Sequence, residues 1–155
     1  CPNDRYINDA AICQAAVGMM GQIGINVTLD AKPKAQPFPI AKGGEADFYT
    51  LGWGVPTFDS HYIFNYLVHT QTNDRGSWNP TGFSDVDVDA MIASLESETD
   101  LAKRDATIAS IWSKVQDAQM YLPIHNQVLN WGMKSNIEFA VQPEDQPHFQ
   151  FLKMK

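Results

Sequence analysis

The feature that most constrains this chain is a switch in hydrophobic period. Ala11, Ile12, Ala15, Ala16, Met19, Met20 and Ile23 recur at helical spacing after the capping candidates Asn8 and Asp9, and Gly24 closes the stripe. Ile25-Asn26-Val27-Thr28-Leu29 then alternates apolar with polar residues and is β-branched, the pattern of a strand with one buried face. Pro33, Pro37 and Pro39 interrupt regular structure beyond that run, leaving room for a short helical turn over 36–42. After Gly43-Gly44, the run Phe48-Tyr49-Thr50-Leu51-Gly52-Trp53 reads as a second strand. Helix, strand, short helix and strand in succession predict parallel pairing with crossover connections. The expected fold class is therefore α/β, with a mixed, mostly parallel sheet flanked by helices.

The later sequence adds helices to that scheme. Pro56 holds a loop over 54–59, and Ser60 is placed to cap a short helix carrying Tyr62, Ile63, Tyr66 and Leu67. The stretch 70–82 is polar and reads as an exposed loop. Ser84 is the expected cap of a helix that buries Val88, Met91, Ile92 and Leu95. A second helix over 101–118 would turn Leu101, Ile108, Ile111, Trp112 and Val115 onto the same core. Runs 121–125 and 128–133 read as strands, the first at an edge because of Pro123. The stretch 142–147 reads as a linker, and 149–152 as a last short strand.

Bulk composition excludes several functions. The 155 residues suit one compact domain. The formal net charge is -7, and the 11 Lys and Arg are scattered, so the clustered positive charge that binds nucleic acid is not found. No apolar run is long enough to span a bilayer, and Cys1-Pro2-Asn3-Asp4 has no leader-like character. Cys1 and Cys13 match no zinc spacing. A bridge between them is geometrically conceivable, but a buried free thiol at Cys13 is the preferred reading.

Catalytic motifs are equally scarce. Asp85-Val86-Asp87-Val88-Asp89 resembles half a calcium loop, yet Ala90 stands where that loop needs Gly, and the acids suit the first turn of a helix instead. His61, His69, His125 and His148 form no paired metal motif, there is no GxSxG elbow, and Gly43-Gly44 lacks the rest of a phosphate loop. Neither an enzyme nor a resident cofactor or metal is expected. A hydrolase or transferase with dispersed residues is the alternative, and it requires His61 or His125 beside a Ser, Thr or Cys nucleophile. An interaction module showing a large apolar patch is a third reading.

The remaining candidates are aromatic and polar residues at strand ends, where open α/β sheets bind ligands. Trp53, Gly54, Val55, Thr57, Asp59 and Tyr62 form one such group, and Gly52 and Gly54 permit close backbone approach. Asn3, Asp4, Arg5 and Tyr6, just before the first helix, form a second.

These segments carry a family resemblance. Pro2-Asn3-Asp4-Arg5-Tyr6, Gln22-Ile23-Gly24-Ile25, Asp47-Phe48-Tyr49 leading into Leu51-Gly52-Trp53-Gly54, and Tyr121-Leu122-Pro123-Ile124-His125-Asn126-Gln127 occur in this order. The order resembles that in the dipeptide-, oligopeptide- and nickel-binding family of ABC-importer solute-binding proteins, over nearly the whole chain. The resemblance implies a periplasmic-binding-protein-like lobe, with 1–127 as the second lobe of a longer, two-lobed periplasmic protein. Residues 128–155 would then be strands and tail returning toward the missing first lobe. The implied partners are a small peptide or peptide-like solute and a membrane permease. Peptide-binding members place an Asp three residues after the Trp, to hold the ligand's amino terminus; here that residue is Pro56. Asp59 is the substitute counter-ion, and an oligopeptide, an opine-like compound or another small cationic solute all stay open.

Overall fold

The computed structural model describes residues 1–140 and 147–155. Its helices are α1 (Asp9–Gln22), α2 (Pro37–Lys42), α3 (Ser60–Ile63), α4 (Val86–Ser94) and α5 (Leu101–Asp117). Helix α3 runs on into a π-helical turn, Phe64–Val68. Strands β1 (Ile137–Glu138) and β2 (Lys153–Met154) pair antiparallel, with Ile137 opposite Met154 and Glu138 opposite Lys153. A 3₁₀ turn, Phe149–Phe151, precedes β2.

The architecture corrects the expected α/β class. Among the described residues the only sheet has two strands, so a mostly parallel sheet flanked by helices is not what this sequence builds. Runs 25–29, 48–53, 121–125 and 128–133 carry no strand, and the sole parallel contact among the described residues is an isolated bridge between Pro2 and Lys32. The final strand expected over 149–152 is largely the 3₁₀ turn, and the linker expected over 142–147 lies outside the described residues except for Pro147. The physical reason lies in what alternation measures. A β-branched alternating run gains by fitting a pleated surface that something covers. Here Ile25, Val27, Phe48, Leu122, Ile124 and Val128 are all exposed, Leu122 at 72% and Val128 at 70%. Among the described residues no covering layer rewards the pattern.

Burial concentrates instead in the helices. Phe64, Val68, Val88, Ile92, Leu95, Ile111 and Val115 form one core, with Phe83, Met91, Ile108, Trp112, Met120 and Tyr121 packed around it. The expected inward stripes of α4 and α5 supply most of it, except that Leu101 points to solvent. Both helices begin on aspartates. Asp85 accepts from the Asp87 and Val88 amides at 2.9 and 3.1 Å, taking the capping role expected of Ser84, and Asp100 accepts from Lys103 N at 3.1 Å.

The N-terminal segment is organised by a carboxylate. Asn8 sits at φ 59° with no side-chain cap, and buried Asp9 turns back to accept from the Arg5 and Tyr6 amides at 3.0 and 3.1 Å. Burial pushes the Asp9 pKa up, but the amides of Tyr6, Arg5 and Ala10 outweigh it and hold it below the ordinary value. This reversal folds the lead-in onto α1, where Cys1 and Cys13 are joined in a disulfide. The free thiol preferred from sequence is thereby corrected. The lead-in is held further along by Asn3 N and Lys32 N, which bond the Lys32 and Cys1 carbonyls at 3.0 Å each. At the far end of α1, Gly24 takes φ 84° and lets Ile25 N reach Met20 O at 3.0 Å, a left-handed closure that favours glycine.

Candidate ligand-binding surface

Two segments singled out separately in the sequence meet in space. The Tyr6 hydroxyl accepts from Gly52 N at 2.9 Å and donates to Gly52 O at 3.3 Å, so the lead-in closes on the backbone just before Trp53. Glycine is required there by proximity: a Cβ on residue 52 would lie 2.7 Å from Tyr6 Cε1. Gly52→Ala is therefore expected to cost about 1–2 kcal/mol. That cost should shrink to a few tenths beside Tyr6→Ala, a coupling that a double-mutant cycle in urea would read.

Trp53 sits at the centre of an aromatic cluster. Its ring centroid lies 6.2 Å from Tyr62, 5.9 Å from Tyr66 and 5.9 Å from Trp78, while Tyr62 and Tyr66 are 4.8 Å apart, one helical turn along the segment that α3 begins. Phe38 of α2 meets Trp78 edge-on at 5.9 Å. Trp78 lies within the stretch 70–82, whose polar composition reads as an exposed loop. Buried Asn79 fixes that loop by donating to the carbonyls of His69 and Phe83 at 3.0 Å each, and Trp78 N bonds Tyr66 O at 2.9 Å. A Trp flanked by Gly76, Ser77, Asn79 and Pro80 was the available signal, because a large aromatic side chain in a turn needs a surface to rest on.

The remaining predicted residues divide. Arg5 lies over the Phe38 ring at 5.1 Å and the Tyr6 ring at 5.4 Å, and its Nε donates to Tyr6 Oη at 3.1 Å. Val55 O accepts from Phe58 N at 3.0 Å and Thr57 Oγ1 accepts from Asp59 N at 3.4 Å, so these residues shape the turn that leads into α3. Gly54 is exposed, with open space where a Cβ would stand.

Asp59 faces inward on the protein's own charges. Arg104 grips it through two contacts, Nη1 to Oδ2 at 2.9 Å and Nη2 to Oδ1 at 3.1 Å, and Oδ1 also accepts from His61 N at 2.8 Å as the cap of α3. The Arg104 hydrogen bond, aided by the His61 amide and opposed by burial, holds the Asp59 pKa below the ordinary aspartate value. Its stabilising effect is thus present above the unfolded-state pKa of about 3.9 and is lost as pH falls through the lower folded value. Asp59→Asn keeps a competent cap and should cost about 1 kcal/mol, whereas Asp59→Ala loses cap and ion pair together, about 2 kcal/mol. Both deficits, measured by urea denaturation at neutral pH, should shrink as the pH is lowered through the carboxylate range.

The histidine environments bear on catalysis. His61 Nε2 lies 3.0 Å from Asn65 Nδ2 and 4.0 Å from Glu96, and burial pushes its pKa down against the pull of Glu96 and Asp59. His69 Nδ1 is 2.7 Å from Thr70 O and 3.5 Å from Asp89. No Ser, Thr or Cys side chain takes part in these contacts, His125 is exposed, and Cys13 is committed to its disulfide. Near Lys42 an open hollow of about 320 Å³ is lined by Gly43, Gly44, Thr70, Asn79 and Ser84. Among the described residues no group of three or more His, Cys, Asp or Glu could hold a metal ion, and no helix is long and apolar enough to cross a membrane.

Compared with known proteins, the chain matches no protein-family model, no curated protein and no solved structure.

Proposed function

We propose that this chain is a ligand-binding lobe of a periplasmic solute-binding protein that serves a peptide-type ABC importer. The observation that carries the reading is the junction of Tyr6 with Gly52. Two segments that resemble the importer family, 46 residues apart, form one continuous surface there, with Trp53, Tyr62, Tyr66 and Arg5 upon it. The surface offers stacking faces, the Gly54 backbone for hydrogen bonds and little chemistry, which suits binding without turnover.

In this reading the solute is a peptide or peptide-like compound, held between this lobe and a second one, and released to a membrane permease. The exposed apolar side chains Leu122, Ile124 and Val128 supply surface for the second lobe to cover. Residue order and the aromatic surface support this function, independently of any α/β architecture.

Affinity in such a device comes from enclosure by both lobes. Titration of this chain with di- and oligopeptides, followed by tryptophan fluorescence, is expected to give dissociation constants no tighter than about 10⁻⁴ M, the loss of half a binding site. Submicromolar binding by this chain would contradict the two-lobed division of labour.

A further inference from the structure

The charges around the aromatic cluster specify what the cluster accepts. Most cations of this acidic chain are paired: Lys32, Arg75, Lys103, Arg104, Lys114 and Lys155 each lie within 4.0 Å of a carboxylate. Arg5 and Lys42, like Lys34, Lys134 and Lys153, have no carboxylate partner among the described residues, and these two lie at the cluster. Each rests on a ring of the cluster instead, Arg5 over Phe38 at 5.1 Å and Lys42 Nζ over Trp78 at 4.4 Å. Those two rings are in contact, with centroids 5.9 Å apart, so the two cations stand on adjoining parts of one surface.

Three nearby acids are engaged by the protein itself, while Glu45, whose Oε1 lies beside Gly43, makes no ion pair with Lys42. Asp4 accepts from the Lys34 amide at 2.6 Å, Asp9 holds the Arg5 and Tyr6 amides, and Asp59 is gripped by Arg104. A third donor belongs to the same cluster. Trp53 Nε1 is buried and has no hydrogen-bond acceptor among the described residues. A buried donor without a partner costs free energy until an acceptor reaches it.

We infer that the Trp53 cluster recognises a carboxylate-bearing ligand through Arg5 and Lys42. This deepens the proposed function and rests on its claim that the cluster is the ligand face. It also reverses the polarity anticipated from Asp59, since that carboxylate is consumed by Arg104 while Arg5 and Lys42 rest on the rings of the cluster. A guanidinium fixed over two rings loses little freedom on engaging a carboxylate, and the bond it forms is charge-assisted. The formal charge of -7 would otherwise repel such a ligand, so local cations have to provide the preference.

Three probes that share one ring and differ in charge test the inference: phenylacetate, phenylacetamide and phenethylammonium. Each is titrated into the ¹⁵N-labelled chain while the Trp53 Nε1–H resonance is followed. Phenylacetate is expected to bind about tenfold tighter than phenylacetamide and tighter still than phenethylammonium. The preference should disappear in Arg5→Gln/Lys42→Gln, whose exposed positions make no ion pair to lose, while phenylacetamide still shifts the resonance. Equal binding of acid and amide, or tightest binding of the ammonium, would overturn the inference and leave the ligand face standing. An acid preference that survives the double substitution would overturn the roles of Arg5 and Lys42. If no probe moves the Trp53 resonance, the ligand face itself is refuted, and the inference with it.

Discussion

Phe64→Ala is expected to destabilise the chain by about 3–5 kcal/mol, the range for emptying a phenylalanine site that cannot collapse. Phe64 is 0% exposed, and its ring lies 4.9 Å from that of Trp112 on α5. It also opens the π-helical turn that continues α3 and carries Tyr66, so it links the core to the aromatic surface. Losing a fifth or more of the stability usual for a domain would be plain in a urea transition. Leu101→Ala, at a position 75% exposed, should stay within about 0.5 kcal/mol and serves as the control. A Phe64→Ala loss below about 1 kcal/mol would mean that the core lies elsewhere.

Removing the disulfide, as Cys1→Ser/Cys13→Ser, should cost about 3 kcal/mol. The bridge closes a loop of sequence separation 12, and a cross-link of that size restricts the unfolded chain by about this amount. The effect should reach the site as well as the stability. Cys1 begins the segment whose Tyr6 fixes Gly52, so untethering it is expected to loosen the Trp53 surroundings while the α4–α5 core stays packed. Trp53 indole NMR together with chemical denaturation separates the two consequences. Unchanged stability in Cys1→Ser/Cys13→Ser would show that Asp9 and the Lys32 bonds hold the lead-in unaided.

The helices were largely legible in the sequence because their signals are local. The stripe after Asn8, the proline-bounded turn of α2 and the stripes of α4 and α5 each needed only side chains within one element to declare themselves. The strands were not legible, because alternation at Ile25–Leu29 or Val128–Met133 describes one face and says nothing of the partner. Without a partner, such a run is merely apolar and exposed. Capping was displaced by one residue at two helices, Asp85 prevailing over Ser84 and Asp59 over Ser60, while Asn8 makes no side-chain cap on α1.

The candidate site was visible in part for the same reason. Trp53, Tyr62, Arg5 and Tyr6 could be named from local composition. Phe38, Trp78 and Lys42 could not, since they join the cluster only through α2 and the loop that Asn79 holds. Asp59 reads as a ligand group from sequence because Arg104, 45 residues away, carries no local mark of the partnership. Cys1 and Cys13 read as unpaired from sequence because only the turn made by Asp9 reveals their proximity. In each case the missing information was a long-range contact, the part of folding that periodicity does not encode.

The central claim is that the Trp53 surface holds a transported solute. Native mass spectrometry of the full two-lobed protein that the account proposes, expressed in its own host and purified without denaturation, tests it most directly when wild type and Trp53→Ala are compared. The account predicts a small molecule retained by the wild-type protein and an occupancy at least about tenfold lower in Trp53→Ala, as expected when an aromatic anchor is lost. A wild-type protein that carries no solute, or a Trp53→Ala form that retains it at the same occupancy, would contradict the account.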